Sequence, residues 1–484
     1  MGKTITISPL SRIEGHASIG IHLDESGRVQ SARLHVREFR GFEAFCVGRP
    51  FWEMPAIVAR ICGICPASHA LAAAQAGDMI LGVNVPPTAR LLRSLLSLSQ
   101  LILSHSLSFF HLSAPDILLG LDSEPAFRNI AGLARVSPEV IRKGIRLRQI
   151  GQEIVNRLGG GHLQPEYIVP GGMRQALSGE DRDAMAMLMP EALELVRFAL
   201  DVWHGHRERF SSEIGDCCSF PSLFLGLIGE VGCLDHAGGR LRFVDKKGET
   251  VRELAPEEYA EAIRESLPGD SYMKPTEYVP PGVTSPSAGN GVIEPGFTPI
   301  YRVGPLARIN VAPFSRAPLA NGERDLLLAG RATEDNSLNY HYARLVEMLY
   351  SVERMTSMLA DPSVTDSNVL IQSTVNNLEG VGVTEAPRGT LIHHYRVDQH
   401  GLLTGVSLIV ATGHNSRAMD RTITDIARHH ISGERLNEGL LNRVEHGIRL
   451  YDPCLSCATH AAGRLGMTVD LQAADGALLD RAMI

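Results

Sequence analysis

The stretch Arg60-Ile61-Cys62-Gly63-Ile64-Cys65-Pro66-Ala67-Ser68-His69 leads without a break into the alanine-rich run from Ala70 to Leu81. Pro66 suits the first turn of a helix, where its missing N–H would have no partner anyway. The run beyond it predicts a helix to about Leu81. Gly63 permits the tight turn that lets two thiolates face one point, and Cys65 directly precedes the helix. The free N–H groups and dipole at that end favour a thiolate. A sulfur site mounted on a helical scaffold is therefore the first structural expectation.

Helical patterning continues outward from this stretch. Pro86-Pro87 breaks the chain before a long Leu/Ser helix expected from about Thr88 to Leu112. Apolar residues at three- and four-residue spacing predict further long helices near 138–158, 180–212 and 335–360. Together these read as the core of a bundle. Strand patterns are confined to the edges. Ala17–Leu23 and Val29–Val36 flank the turn Asp24-Glu25-Ser26-Gly27, a first hairpin. A second reads at Leu241–Leu254 around Asp245-Lys246-Lys247-Gly248, and a third at Leu391–Val410 with two short helices after it. Pro268–Pro305, rich in Pro and Gly, reads as an irregular surface excursion. The expected fold class is α+β, mainly α, with a large helical-bundle core and small hairpins and sheets at the periphery.

Composition narrows the function. The 484 residues are 44% apolar and 21% charged, which excludes disorder as the dominant state. With 46 basic against 54 acidic residues and no long run of either sign, nothing asks for nucleic acid or an anionic membrane. The start, MGKTITISPL, lacks the basic region and apolar core of a signal peptide, so a cytoplasmic location is expected. Ser94–Pro115 carries no Asp, Glu, Lys or Arg, yet includes seven serines, two histidines and a glutamine. A membrane span is predominantly apolar over about 20 residues, so this segment reads as a helix buried in protein.

Eight cysteines are too sparse for a disulfide scaffold. Four form two C-x2-C pairs, Cys62/Cys65 and Cys454/Cys457, each followed by a histidine, His69 or His460, able to tune a sulfur. Spacing alone leaves three readings open: a structural zinc site, a redox disulfide or iron–sulfur site, and another thiophilic metal. Zinc ribbons keep their pairs roughly 15–20 residues apart, whereas 388 residues separate Cys65 from Cys454. That separation weighs against a simple staple and suits a reactive metal held between distant segments. The other four cysteines, Cys46, Cys217, Cys218 and Cys233, show no cluster spacing.

Five motifs in order resemble the large subunit of nickel–iron hydrogenases. They are Arg12-Ile13-Glu14-Gly15-His16, Arg40-Gly41-Phe42-Glu43, Arg60 to His69, Ala386-Pro387-Arg388-Gly389, and Asp452-Pro453-Cys454 through Cys457 to His460. The resemblance implies one domain over 1–460, with a β-hairpin region 1–40, a helical core 54–360 and a β/α region 389–460. It implies that Cys62 and Cys454 are terminal nickel ligands, and that Cys65 and Cys457 bridge to an iron carrying one CO and two cyanides. Arg388 would hang over the open metal site, with Asp116 and Asp452 as the carboxylates around it. Pro387, Ala411 and Thr412 would line the cyanide pocket; many family members have Pro-Ser where this chain has Ala411-Thr412. His69 would donate to a bridging sulfur. Glu43, the Leu408 carbonyl and His460 would hold a magnesium ion.

The same resemblance implies heterolytic splitting of H2, with Cys454 accepting the proton and Glu14 passing it outward. On residue type alone, a Glu opening a hairpin or an Arg after Pro is usually solvated. Electrons would leave through an iron–sulfur small subunit. The stretch from Phe39 through Glu53 resembles the NAD-reducing, bidirectional type, whose FMN and NAD reside in diaphorase partners. This chain has no Rossmann glycine motif of its own. A metal-free quinone-site subunit like that of complex I and a zinc-stapled interaction protein are the alternatives. The family also implies nickel-insertion proteins and an endopeptidase that cuts between His460 and Ala461, removing 461–484.

Overall fold

The computed structural model describes residues 4–36, 38, 41–160, 165–229, 231–266, 271–282, 300–431, 437–459, 468–472 and 478–483. Four long helices make the centre: Pro87–Ser106, Pro138–Gly159, Gly179–Ile214 and Tyr340–Leu359. The first packs on the second and the fourth, and the third packs on the second and the fourth, closing a bundle. The helix from Pro87 does not stop at Leu112. It widens into a π-helical stretch, Leu107–Ser113, and runs on as Ala114–Leu119, which places Asp116 deep in the protein.

Among the described residues, Pro87–Leu119 alone is long and apolar enough to pass as a membrane span. Its most apolar window is 78% buried by the protein itself, so the bundle supplies its apolar surroundings. Ser97, Ser99, Ser104 and Ser106 are all buried there, and Ser99 satisfies its hydroxyl on the Leu95 carbonyl at 2.6 Å.

The alanine-rich helix forms from Pro66 to Leu81 as its sequence predicts, and lies on the strand Glu379–Ala386. Small residues on both surfaces make this possible. A Cβ at Gly382 would stand 1.9 Å from the Ala72 carbonyl oxygen, and one at Gly380 would stand 2.1 Å from that of Ala76. The strand is the first of an antiparallel meander, Glu379–Ala386, Gly389–Val397 and Leu403–Ile409. The third expected hairpin is therefore real but gains a strand. Ala386 pairs with Gly389, so Pro387-Arg388 forms a two-residue turn at the tip.

At the N-terminal side, Thr4–Ile7 adds to the expected hairpin, making a three-stranded sheet packed on the helix Ser416–His430. The second expected hairpin, Arg240–Val244 with Thr250–Leu254, belongs to a four-stranded sheet with Leu223–Ile228 and Tyr301–Arg302. Part of Pro268–Pro305 is regular after all: Thr276–Tyr278 pairs with Ile263–Glu265, and residues 283–299 lie outside the described residues. Thr468–Gln472 and Leu478–Met483 pair as antiparallel strands.

A buried ion network locks bundle to meander. Arg308, in the helix Pro305–Val311, donates to both oxygens of Glu347 at 2.5 and 2.6 Å and to Glu385 at 2.7 Å. It also donates to the carbonyls of Ala386 at 3.0 Å and Pro387 at 3.3 Å. The turn that carries Arg388 is held by this guanidinium.

Candidate metal centre

The four cysteines of the two pairs converge, with all four sulfurs within 4.8 Å of one another. Cys62 Sγ lies 3.2 Å from Cys454 Sγ, Cys65 Sγ lies 3.4 Å from Cys457 Sγ, and Cys454 and Cys457 are 2.8 Å apart. All are free thiols and all are buried. Cys62 and Cys65 sit on the turn before the helix Pro66–Leu81; Cys454 caps the N-terminus of the short helix Leu455–Ala458 and Cys457 lies within it.

Local contacts explain how ends so far apart in sequence meet. Glu14 forms a parallel β-bridge with Cys454, and the Leu455 N–H donates to the Glu14 carbonyl at 3.2 Å. Gly15 takes φ +85°, and a Cβ there would stand 2.8 Å from that of Leu455. Glycine is thus the residue that both the backbone and the packing allow. Thr412 clamps the other side: its Oγ1 accepts the Cys454 N–H at 3.0 Å and donates to the Cys454 carbonyl at 3.3 Å.

Electrostatics argue for a soft cation here. Burial pushes the thiols of Cys454 and Cys457 well above their ordinary range, while sulfur hydrogen bonds from Cys454, Cys457 and Cys62 hold Cys65 well below it. Four crowded sulfurs can become thiolates together only around a thiophilic metal, whose bonds to sulfur of about 2.3 Å fit this spacing. Burial also opposes the charge of Arg388, but Asp452 and the cysteines outweigh it and raise its pKa well above the usual guanidinium value.

Arg388 is buried beside the cluster. Its Nε donates to the Asp452 carbonyl at 2.6 Å, and its NH2 stands 3.1 Å from Asp452 Oδ2. Neither terminal nitrogen completes a hydrogen bond. Asp452 itself has φ +50°, a rare setting for a residue with a side chain. Arg388, Pro387, Ala411, Thr412 and His69 line a cavity of about 20 Å³ together with Cys65, Cys454 and Cys457. That is room for about one water-sized group.

Three expected positions are placed differently. Asp116 does not reach Arg388; its carboxylate pairs with Arg12 at 2.6 Å, Arg449 at 2.9 Å and His446 at 2.7 Å. Burial would raise its pKa, but Arg449, His446 and Arg12 together hold it well below the carboxylate range. Thr412 lines the pocket, yet its hydroxyl is engaged by the Cys454 backbone rather than directed at a ligand. Glu43 accepts the N–H of Leu408 at 2.9 Å and pairs with Lys274 at 3.0 Å, so an ammonium stands where magnesium was expected. As they stand these residues do not fit a divalent ion, and His460 lies outside the described residues.

Two residues at the site carry no signal of type. Ser456, one of the two residues between the cysteines of the second pair, donates its N–H to Glu14 Oε2 at 3.0 Å and its hydroxyl to Oε1. For Arg308 the one available signal is its place as a lone cation in the apolar stretch Pro305-Leu306-Ala307-Arg308-Ile309.

Similarity to known proteins gives this helical core, cysteine quartet and neighbouring guanidinium a class: the large subunit of a hydrogenase. Residues 40–124 and 298–460 match the family described as nickel-dependent hydrogenase, and residues 4–39 match one described as HoxL-like. The chain belongs to the nickel-dependent hydrogenase family and is its metal-binding large subunit. It is 36% identical to the NAD-reducing hydrogenase HoxS subunit beta of Cupriavidus necator, over 99% of each chain. It is 38% identical to a chain of the F420-non-reducing hydrogenase vhu of Methanococcus voltae, over 88% of this chain and 98% of that one. Among solved structures, an NAD+-reducing [NiFe]-hydrogenase in its H2-reduced state superposes with a TM-score of 0.86 at 40% identity, over 95% of this chain and 99% of that one. A Ni-Fe-Se hydrogenase of D. vulgaris Hildenborough shares the fold, with a TM-score of 0.74 at 23% identity over 95% of this chain and 100% of that one. Family membership sets aside the zinc staple and the metal-free quinone-site reading.

Proposed function

We propose that this chain is the H2-activating subunit of a hydrogenase that reduces NAD through partner subunits. The observation that carries the reading is the buried thiolate quartet beneath Arg388, in a chain alike end to end to an NAD-reducing relative. Cys62, Cys65, Cys454 and Cys457 would hold a nickel–iron pair, its iron with CO and cyanide, which would supply the Lewis acidity and redox capacity for H2. Arg388 presents positive charge beside that centre, while its ion pair with Asp452 fixes its direction. Cys454 Sγ is the first proton acceptor, and Glu14 takes the proton outward past Ser456. Pro387 and Ala411 exclude water from the cavity.

A partner bearing iron–sulfur clusters, and beyond it diaphorase subunits with FMN and NAD, completes the route. Support comes from the surface near the first cysteine pair: Gly63 is exposed between the two buried cysteines, and Phe45, Val47 and Trp52 are exposed on the segment before it. Such an assembly works in the cytoplasm, beside its nicotinamide pool. Magnesium at Glu43 belongs to this reading only with Lys274 displaced. Nickel insertion and a cut after His460, by dedicated maturation proteins, complete the proposal; intact mass of the active subunit tests the cut.

The decisive experiment purifies the complex and measures nickel, iron, infrared bands of CO and cyanide, and H2-dependent NAD reduction. Zinc without nickel, or H2 oxidation by a complex that never reduces NAD, overturns the corresponding part.

A further inference from the structure

We infer that Tyr395 is a positioning residue that fixes, through His393 and His69, the proton held against Cys457. The inference rests on Cys457 being a metal ligand. His69 Nε2 lies 3.3 Å from Cys457 Sγ, His69 Nδ1 lies 3.1 Å from His393 Nε2, and His393 Nδ1 lies 2.6 Å from the Tyr395 hydroxyl. All four side chains are buried. His393 and Tyr395 share one face of the strand Gly389–Val397, since strand side chains alternate. His69 faces them from the helix Pro66–Leu81, which packs on that strand.

The order of protons follows from valence. A metal-bound thiolate only accepts, so His69 carries its proton on Nε2 and its Nδ1 is an acceptor. His393 must then donate from Nε2, which leaves its own Nδ1 as an acceptor. The group against it has to be a donor, and the Tyr395 O–H is one. Burial pushes the phenol well above its ordinary pKa, so it keeps its proton. Three side chains thus form a one-way chain of hydrogen bonds ending on a sulfur. A hydrogen bond to sulfur withdraws electron density from it and tunes the metal.

Tyr395→Phe removes the donor at the far end and nothing that touches the cysteines. His393 Nδ1 then has no donor against it, the polarisation that Tyr395 passes along the chain is lost, and the bond to Cys457 weakens. In the assembled complex the CO stretch of Tyr395→Phe moves to lower wavenumber than in the unsubstituted protein, because the freed sulfur donates more to iron. In the full chain loaded with zinc, a diamagnetic thiolate partner, ¹⁵N NMR of labelled histidines finds His69 and His393 protonated on Nε2. An unmoved CO stretch in Tyr395→Phe, or an Nδ1-protonated His393 in the unsubstituted chain, overturns the inference. A complex with no CO band in either protein overturns the proposed iron ligands instead, and the zinc-loaded NMR measurement still decides the tautomer order.

Discussion

Replacing Glu14 by Gln separates proton movement from structure. The backbone contacts of residue 14, its bridge to Cys454 and the bond from the Leu455 N–H, do not depend on the side chain. The carboxylate contributes two bonds, from the Ser456 N–H at 3.0 Å and from the Ser456 hydroxyl. Glutamine keeps an oxygen for the N–H and can turn its NH2 to the serine oxygen, since a hydroxyl both donates and accepts. What is lost is the charge assistance, about 1 kcal/mol. The fold and the thiolate quartet should therefore survive. An amide does not titrate, however, and loss of a positioned acid–base group slows proton transfer about 10²- to 10⁴-fold, or about 3–5 kcal/mol of barrier. H2/D2 exchange, metal content and infrared bands measured on one preparation make the test. Exchange at the unsubstituted rate with metals intact would refute Glu14 as the relay.

Replacing any one of Cys62, Cys65, Cys454 or Cys457 by Ser should abolish H2 oxidation and strip nickel; full activity with nickel in any of the four variants would sink the assignment. Arg308→Met takes away the guanidinium that neutralises buried Glu347 and Glu385, which should cost about 3–5 kcal/mol, read by urea unfolding. A loss below about 1 kcal/mol would show that the network is replaceable by packing. His105, buried with its Nε2 2.9 Å from Glu347, has its pKa lowered to about 4 by burial. Unfolded histidine titrates near 6.5, so its stabilising contribution is complete above pH 6.5 and is lost as pH falls toward 4. By linkage that loss is about 2 kcal/mol at pH 5. His105→Gln should flatten the pH dependence of unfolding in this window, and an unaltered slope in the variant would contradict it.

Local rules decided much of the architecture. The helix from Pro66 to Leu81 ends where its apolar run meets Gly82, and the turns at Asp24–Gly27 and Asp245–Gly248 form because Asp and Gly suit them. Two things escaped. The strand Glu379–Ala386 alternates small and β-branched residues and is buried on both faces, so it lacks the polar alternation that marks a strand. The π-helical widening at Leu107–Ser113 leaves no periodic trace, so the continuation to Asp116 was invisible. At the site, the motifs carried the cysteines and Arg388, but the partners of Asp116 and Glu43 come from Arg449 and Lys274, far away in sequence. Long-range ion pairing is set by packing, and no local pattern encodes it.

The same distance explains why the centre is built from two ends of the chain. In an unfolded chain Cys62/Cys65 and Cys454/Cys457 are separate two-thiol ligands, each able to hold only half a site. The quartet exists once the helix Pro66–Leu81 has docked on the meander and residue 14 has bridged to Cys454. The quartet is thus assembled by tertiary packing, unlike the site of a zinc finger, where the metal itself drives the fold. The raised pKa values of Cys454 and Cys457 have a consequence for that step: these thiols keep their protons until a metal arrives, and binding releases them. Arg388, already charged and held by Asp452, stands beside the cluster before the metal enters.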